Sequence, residues 1–245
     1  LIDSKVLANM TSMEPQFKLQ EIRWFEHPQP NKIYLVALDP SAGVGRDYGA
    51  IQVWRLPDMV QVAEWMHNKS SVATQLKTLI QICVWLDKQI RSHPTQLGEP
   101  ELFWTFENNG LGQSVVELLN EVGQDRIPAQ LMSEPGQGHM RHRGYNANER
   151  SKSQAVVKFK SLVESDRMRI RSKALVSQIK NFVSKGAGFA AKSGEHDDLV
   201  TATLLIVRMS QVIAKWDDQT ANQFRDSSLQ ELEEFAEPLP ISVGW

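Results

Sequence analysis

Ile33-Tyr-Leu-Val-Ala-Leu-Asp39, followed at once by Pro40-Ser-Ala-Gly-Val-Gly45, is the stretch that decides the fold. Its first part is an apolar run of strand length, which is typical of a strand buried within a sheet. The Pro, Ser and Gly residues that follow cannot continue the strand. Asp39 therefore stands where a buried strand emerges. Because desolvating a carboxylate is costly, such a residue usually has a partner or a metal ion.

Working outward, residue patterns predict a mixed α/β sheet with helices on both faces. Alternating apolar residues predict two strands joined by a hairpin, and apolar residues at helical spacing predict the helix that follows, capped by Ser70 or Ser71. A second buried strand then ends at Glu107, and a long apolar helix lies near the end. The predicted elements are strands Ile33–Asp39, Ala50–Arg55, Val60–His67, Leu102–Phe106, Ile127–Met132 and a short one at Met168–Ile170, helices Ser70–Ile90, Gln113–Val122, Lys152–Ser165, Ala174–Val183 and Asp197–Val212, a mobile loop Ser133–Asn148, and a turn or hairpin Gly186–Lys192.

Composition places the chain among ordinary globular proteins, with 41% hydrophobic and 23% charged residues. No apolar run is long enough to span a bilayer. Residues 1–31 are polar and rich in proline, which predicts a linker or N-terminal extension in which Ile22–Phe25 forms an edge strand or docking segment. Residues 32–215 are predicted to form one α/β domain, and residues 216–245 an acidic C-terminal tail.

Charge is distributed unevenly although the formal net charge is only −2. Thirteen Lys and Arg residues lie between Arg141 and Lys192, against three acids before the block at Glu195. Seven acids and one Arg lie between Asp217 and Glu237. A basic middle and an acidic tail therefore cancel in the sum.

Acidic residues stand at the ends of three predicted buried elements. Asp39 ends the first strand, Glu107 follows the second, and Asp197 and Asp198 open the late helix. If the two strands are parallel neighbours joined by a right-handed crossover, Asp39 and Glu107 emerge at one edge of the sheet, where open α/β sheets place ligands. We therefore expect the three sites to converge.

Several acids at one point cannot all stay ionised without a cation. Oxygen donors without a Cys or His set favour Mg²⁺ or Mn²⁺ over zinc. Such a site suits two ions roughly 3.5–4 Å apart, one activating a water and the other stabilising the leaving oxygen of a phosphodiester.

Each acid also has a simpler interpretation. An Asp before Pro is most often a turn residue, and acids in the first turn of a helix complement its dipole. Asp47 is more consistent with a local turn contact than with catalysis. His196 is open to three interpretations, as a ligand, as a support for a ligand or as an exposed bystander. The metal hypothesis depends on all of these residues occurring in this order, each at the end of a buried element.

Three motifs surround these acids: Leu38-Asp39-Pro40-Ser41 with Asp47-Tyr48, Phe106-Glu107-Asn108-Asn109-Gly110, and Gly194-Glu195-His196-Asp197-Asp198-Leu199-Val200. Together they resemble the nuclease-domain motifs of the large terminase subunit of tailed bacteriophages. The third motif is the most specific. With Arg150-Ser151-Lys152 and Phe182–Ala191, the resemblance covers roughly Ile33 to Met209.

The resemblance implies a ribonuclease H-like fold and metal-dependent cutting of concatemeric viral double-stranded DNA during packaging, in the cytoplasm of the infected bacterial host. By position, the acidic triad would be Asp39, Glu107 and one of Asp197 and Asp198, with Asp197 favoured. The motor half of the family is absent because no G-x-x-x-x-G-K-[ST] motif occurs. Implied partners are that upstream ATPase, the portal and the small terminase subunit.

The basic middle supplies candidate phosphate contacts at Arg143, Arg150 and Lys152, on or beside the predicted loop. Three other functions stay open. A junction resolvase or transposase core would share the acids but prefer branched or end-specific DNA. An actin-like phosphotransferase would need a second phosphate-binding Gly loop, for which the sequence has no candidate. A silent docking module would bind partners without cutting DNA.

Overall fold

The structure, a computed structural model, describes residues 1–134, 143–146, 148–186 and 188–214. The chain divides into a unit of Leu1–Met209 and a unit of Ser210–Trp245, and only residues 210–214 of the second are described. The strands are β1 (Phe17–Leu19), β2 (Ile22–Trp24), β3 (Ile33–Asp39), β4 (Gly49–Leu56), β5 (Val60–His67), β6 (Glu101–Phe106), β7 (Gln130–Leu131), β8 (Phe182–Lys185) and β9 (Gly188–Ala191). The helices are α1 (Ser4–Asn9), α2 (Val72–Arg91), α3 (Gly112–Val122), α4 (Glu149–Glu164), α5 (Lys173–Asn181) and α6 over residues 198–214, with a 3₁₀ turn at Gln124–Arg126.

The main sheet has the strand order β1-β2-β5-β4-β3-β6-β7. β3, the strand that ends at Asp39, lies inside the sheet. β3 pairs with β4 in antiparallel and with β6 in parallel, so Leu38 lies between Ile51 on one side and Phe106 on the other. The parallel neighbour is reached through α2, as a crossover connection requires. The predicted mixed α/β sheet is confirmed.

One face of the sheet is covered by α2, whose apolar stripe faces side chains such as Val36, Leu38 and Trp104 in one core cluster. The helix begins after Ser71, whose hydroxyl accepts a hydrogen bond from the Thr74 N–H at 3.3 Å. Each fully buried Leu or Ile of the stripe contributes about 1.5–3 kcal/mol through removal from water. The buried apolar residues of α2 are Leu76, Leu79, Ile82, Cys83, Leu86 and Ile90.

The opposite face carries polar residues and receives α5. Val62 belongs to the α2-side cluster, so the neighbouring Gln61 projects from the other face. Its Oε1 accepts hydrogen bonds from the N–H groups of Arg171 and Ser172, both at 2.9 Å. Ser172 in turn caps α5 by accepting from the Leu175 N–H at 2.9 Å. Gln61 therefore fixes where α5 begins on the sheet.

The structure differs from the predicted elements at two strands and at the end of α5. The predicted strand Ile127–Met132 shortens to β7, because the 3₁₀ turn occupies the residues before it. Only an isolated bridge between Arg169 and Val60 remains of the strand at Met168–Ile170. Helix α5 ends at Asn181, because Phe182 pairs with Ala191 in the β8–β9 hairpin, which confirms the hairpin alternative for the segment that follows. The predicted loop Ser133–Asn148 lies mostly outside the described residues.

Part of residues 1–31 is not a free linker in the structure. β1 and β2 extend the main sheet beside β5, and Trp24 and Phe25 are buried. The Glu26 carboxylate then forms ion pairs with the guanidinium groups of Arg55 and Arg171, each with an N–O distance of 2.7 Å. Strands of three residues are too short to show a clear alternation of apolar and polar residues in the sequence. The predicted acidic tail, residues 216–245, lies outside the described residues.

Candidate active site

Asp39 and Glu107 meet because β3 and β6 are parallel neighbours in register. Leu38 pairs with Phe106, and the Glu107 N–H donates to the Leu38 carbonyl at 2.9 Å. The next residue on each strand therefore emerges at the same edge. The two carboxyl groups lie close enough that the charge of Glu107 and a hydrogen bond to it help to raise the pKa of Asp39. The Asn109 side chain also donates to Glu107 Oε1 at 3.1 Å.

Asp197 and Asp198 reach the same region from the start of α6. The helix begins one residue later than predicted: Asp197 precedes it, and its carbonyl accepts the first helical hydrogen bond, from the Thr201 N–H at 2.8 Å. Asp197 Oδ2 accepts from the Ala191 N–H of β9 at 3.1 Å. Asp198 Oδ1 accepts from the Tyr48 N–H at 3.3 Å. The two neighbouring acids are thus held by different parts of the fold.

The electrostatics of Asp39 show that the acids lie close together. Burial first, then the charge and hydrogen bond of Glu107, and then the charges of Asp198 and Asp197 raise the pKa of Asp39 well above its usual value. Burial also raises the pKa of Asp198 to about 6, against the opposing effect of His196. Carboxyl groups that disfavour one another's ionisation are a common feature of sites that bind cations.

The donor chemistry of the four acids fits a hard divalent cation. Asp198 Oδ2 is buried and has no hydrogen-bond partner among the described residues, which leaves it available as a ligand. In the described parts of the chain, no three His, Cys, Asp or Glu side chains are arranged as a ready-made ion-binding group.

The loop after Asp39 is held in place by Gln75 of α2. The Gln75 side chain accepts from the Ser41 N–H at 3.0 Å and donates to the carbonyls of Ser41 and Ser70, both at 2.8 Å. Gly43 is required for this approach, since its φ is +69° and an added Cβ would lie 2.1 Å from the Ser70 carbonyl oxygen. This loop presents Tyr48 to Asp198.

His196 and Asp47, the two predicted supporting residues, are placed differently. His196 lies beside Asp198, with Nδ1 3.6 Å from Oδ2, and its ring meets the Tyr48 ring edge-on with centroids 4.8 Å apart. Asp47 is exposed on the loop, and it is its neighbour Tyr48 that contacts the acids.

The three predicted phosphate contacts lie on two segments. The Arg143 carbonyl accepts from the Asn108 side chain at 2.7 Å, next to Glu107, while the Arg143 guanidinium donates to the Asn120 side chain. Arg150 and Lys152 lie in the first turn of α4, whose cap Asn148 accepts from the Ser151 N–H.

Arg208 of α6 is a residue near the acids that the sequence analysis did not single out. Its guanidinium pairs with Glu134, donates to the Asn146 carbonyl at 3.1 Å and lies 4.4 Å from the centre of the Tyr145 ring. Tyr145 forms a backbone bridge with Glu107. Burial lowers the pKa of Arg208 to about 10, and the nearby Glu107 charge opposes that shift. No local motif marks Arg208, because it lies within an apolar helix far from the acids in sequence.

We expect Arg208→Met to lower the free energy of unfolding by about 2–3 kcal/mol, because it removes the ion-pair partner of the half-buried Glu134 carboxylate and one of the two hydrogen bonds that the Asn146 carbonyl accepts. Urea unfolding followed by tryptophan fluorescence measures this. Arg91→Met is the matched control, since Arg91 pairs with Asp87 and Glu99 on an exposed surface and its loss should leave the midpoint unchanged. Equal midpoints for Arg208→Met and the unaltered chain would contradict the assignment.

Comparison with known proteins identifies relatives of this fold. A family model described as the terminase RNaseH-like domain matches residues 36–210. The large terminase nuclease of the thermophilic phage G20c, crystallised with bound magnesium, is similar at 17% identity and a TM-score of 0.59, covering 83% of this chain and 94% of that one. The large terminase nuclease domain of Thermus phage P74-26 is similar at 16% identity and a TM-score of 0.55, covering 82% and 90%. The human cytomegalovirus terminase nuclease domain, soaked with manganese, is similar at 15% identity and a TM-score of 0.55, covering 87% and 95%.

Proposed function

Since the chain belongs to the family of terminase RNaseH-like domains, we propose that it is a metal-dependent endonuclease that cuts concatemeric double-stranded viral DNA during genome packaging. The observation that carries the proposal is the meeting of Asp39 and Glu107 at one edge of the sheet, with Asp197 and Asp198 close enough to raise the Asp39 pKa. Acids brought together from three separate segments repel one another, which destabilises the fold unless a cation binds between them. Such a cluster is therefore more consistent with a cation-binding role than with a purely structural one.

We assign the residues that hold two Mg²⁺ or Mn²⁺ ions as Asp39, Glu107 and Asp198. Each of the two acids accepts a backbone N–H through one oxygen. Asp198 is preferred to Asp197 because its other oxygen, Oδ2, is buried beside His196 without a hydrogen-bond partner among the described residues. Asp197 then contributes charge and orientation. When bound, the ions supply activation of a water and stabilisation of the leaving oxygen of the phosphodiester.

The chain's own residues prepare this site in two ways. Burial and the neighbouring acids raise the pKa of Asp39, so a cation that binds its oxygens competes with a proton for them. Tyr48 and Ala191 hold Asp198 and Asp197 through backbone N–H groups, which favour the ionised carboxylates without adding mobile side chains.

Arg143, Arg150 and Lys152 are proposed to bind DNA phosphates beside the acids. Arg150 and Lys152 lie beside Glu149 in the first turn of α4. Two cations there are unfavourable for the helix dipole, but their charge outweighs that of Glu149 and, with the dipole, favours an anion. The Asn146 carbonyl accepts from both Arg208 and Ser151, which ties this end of α4 to the segment bridged to Glu107. The basic end of α4 is therefore fixed relative to the site.

Replacing Arg150 and Lys152 together by Ala is expected to weaken binding of duplex DNA equally for unrelated sequences. Each lost phosphate contact should reduce the slope of log K against log salt by about 0.9. Fluorescence anisotropy with a labelled duplex over a range of NaCl concentrations measures the slope. Lys160→Ala in the same helix is the control, because Lys160 lies two turns further on and pairs with Glu164 at 3.6 Å. An unchanged slope in the double variant would remove these residues from the proposed interface.

The proposed function is tested with supercoiled plasmid and purified protein. Nicking or cutting that requires Mg²⁺ or Mn²⁺ and stops with EDTA supports it, and a lack of cutting under all these conditions contradicts it. Comparing a linear duplex with a four-way junction separates the packaging nuclease, which should cut both, from a junction resolvase, which should prefer the junction. In infected bacterial cytoplasm, the packaging ATPase, the portal and the small terminase subunit are its proposed partners.

A further inference from the structure

Gln178 is a buried amide on α5 whose contacts go to the start of α6. Its side-chain Oε1 accepts from the Leu199 N–H at 2.8 Å and from the Val200 N–H at 3.3 Å. Its Nε2 lies 3.5 Å from the Met66 sulfur of β5. Only 8% of Gln178 is exposed, and Leu199 and Val200 are fully buried. Water therefore has little access to replace these hydrogen bonds.

The two N–H groups that Gln178 binds are the ones that a helix's own cap residue normally satisfies. A side chain at the cap position accepts from the second or third N–H of the helix. Asp197 occupies the cap position of α6, and Asp is among the preferred cap residues. Its carboxylate nevertheless accepts from Ala191 of β9. The cap of α6 thus comes from a different helix.

We infer that Gln178 is a positioning residue for the acidic site: by capping α6 from α5, it releases the carboxylate of Asp197 from capping and fixes the orientation of the Asp197–Asp198 turn. The expected effect on cation binding rests on the proposed function. The capping of α6 by Gln178 rests on the hydrogen bonds alone. Without Gln178, the Asp197 carboxylate, at the cap position, is the side chain best placed to accept from the N–H groups of Leu199 and Val200. It would then leave Ala191 and turn from the cluster around Asp39.

Gln178→Leu tests the inference, with two measurements on the purified full chain. Amide hydrogen exchange at Leu199 and Val200, followed by NMR, reports the cap whether or not a metal binds. Calorimetric titration with Mn²⁺ reports the site, and loss of a group that orients the ligands should weaken Mn²⁺ binding roughly 10-fold or more. Gln178→Glu, which keeps an acceptor at the same position and suits a helix N-terminus, should restore both.

Gln52→Leu is the matched control for a general loss of stability. It removes a fully buried amide whose Oε1 accepts from the Gln61 side chain at 2.9 Å and from the Trp54 indole N–H at 3.2 Å, both within the sheet and not on α5 or α6. It should lower the melting temperature while leaving the Mn²⁺ affinity within about threefold, well short of the loss expected for an orienting group.

A double-mutant cycle examines Asp197 directly. If Asp197 takes over the cap when Gln178 is lost, the effect of Asp197→Asn on Mn²⁺ affinity should be smaller in the Gln178→Leu background than in the unaltered chain. Unchanged exchange at Leu199 and Val200 in Gln178→Leu would overturn the cap, and unchanged Mn²⁺ affinity would overturn the positioning role. If the unaltered chain itself binds no Mn²⁺, the proposed function and the positioning role both fail, and hydrogen exchange still decides the cap.

Discussion

Asp39→Asn is expected to reduce Mg²⁺- or Mn²⁺-dependent cutting of plasmid DNA on the order of 10³-fold or more, the scale of loss seen when a group central to catalysis is removed. An amide at this position cannot supply the anionic oxygen that the cation needs, although its size and placement are nearly unchanged. Single-turnover cleavage with excess enzyme measures the loss. Asp125→Asn, an exposed acid on the 3₁₀ turn, is the control and should keep full activity.

The same substitution should not harm the fold. Because the folded-state pKa of Asp39 is raised above its unfolded value, its contribution to stability is present at low pH and is lost as pH rises through the folded-state pKa. In the absence of metal, Asp39→Asn should therefore be at least as stable as the unaltered chain at neutral pH, and its stability should depend less on pH. A loss of activity accompanied by unfolding would leave Asp39 as a structural residue instead.

Binding of Mn²⁺ is expected to release protons and to strengthen as pH rises from about 5 to 7. The pKa of Asp39 is raised by burial and by the neighbouring acids, and burial raises that of Asp198 to about 6, so a proton on either carboxyl competes with the cation for its oxygens. Titration calorimetry in buffers of different ionisation enthalpy counts the protons released.

This linkage should also appear in thermal unfolding. At a free Mn²⁺ concentration about 100 times Kd, binding adds about 2.7 kcal/mol to the free energy of unfolding, which raises Tm by roughly 5–10 °C for a chain of this size. The rise should be smaller at pH 5 than at pH 7. A pH-independent affinity without proton release would show that Mn²⁺ binds somewhere other than the Asp39–Glu107 pair.

The sheet could be predicted from the sequence where burial produces a strong pattern. The apolar run ending at Asp39 is such a case, because a strand covered on both faces reads as a continuous apolar segment. The parallel pairing that joins Asp39 to Glu107 then followed from the crossover helix between them. The early strands β1 and β2 were less predictable, because three residues are too few to establish an alternation.

The long-range polar contacts of the site were beyond sequence reasoning. Asp197 and Asp198 are adjacent in the chain, yet only tertiary structure shows that Ala191 holds one and Tyr48 the other. Gln178 and Arg208 act across elements that are distant in sequence, and neither belongs to a motif. A pattern of residue types identifies acids at strand ends, whereas the groups that orient them depend on packing between helices.

A crystal of the chain soaked in Mn²⁺ and measured at the manganese absorption edge tests the central claim most directly. The account predicts anomalous peaks between the carboxylates of Asp39, Glu107 and Asp198, with the direct hydrogen bond between Asp39 and Glu107 broken. Peaks confined to other parts of the chain, with that hydrogen bond intact at saturating Mn²⁺, would contradict it.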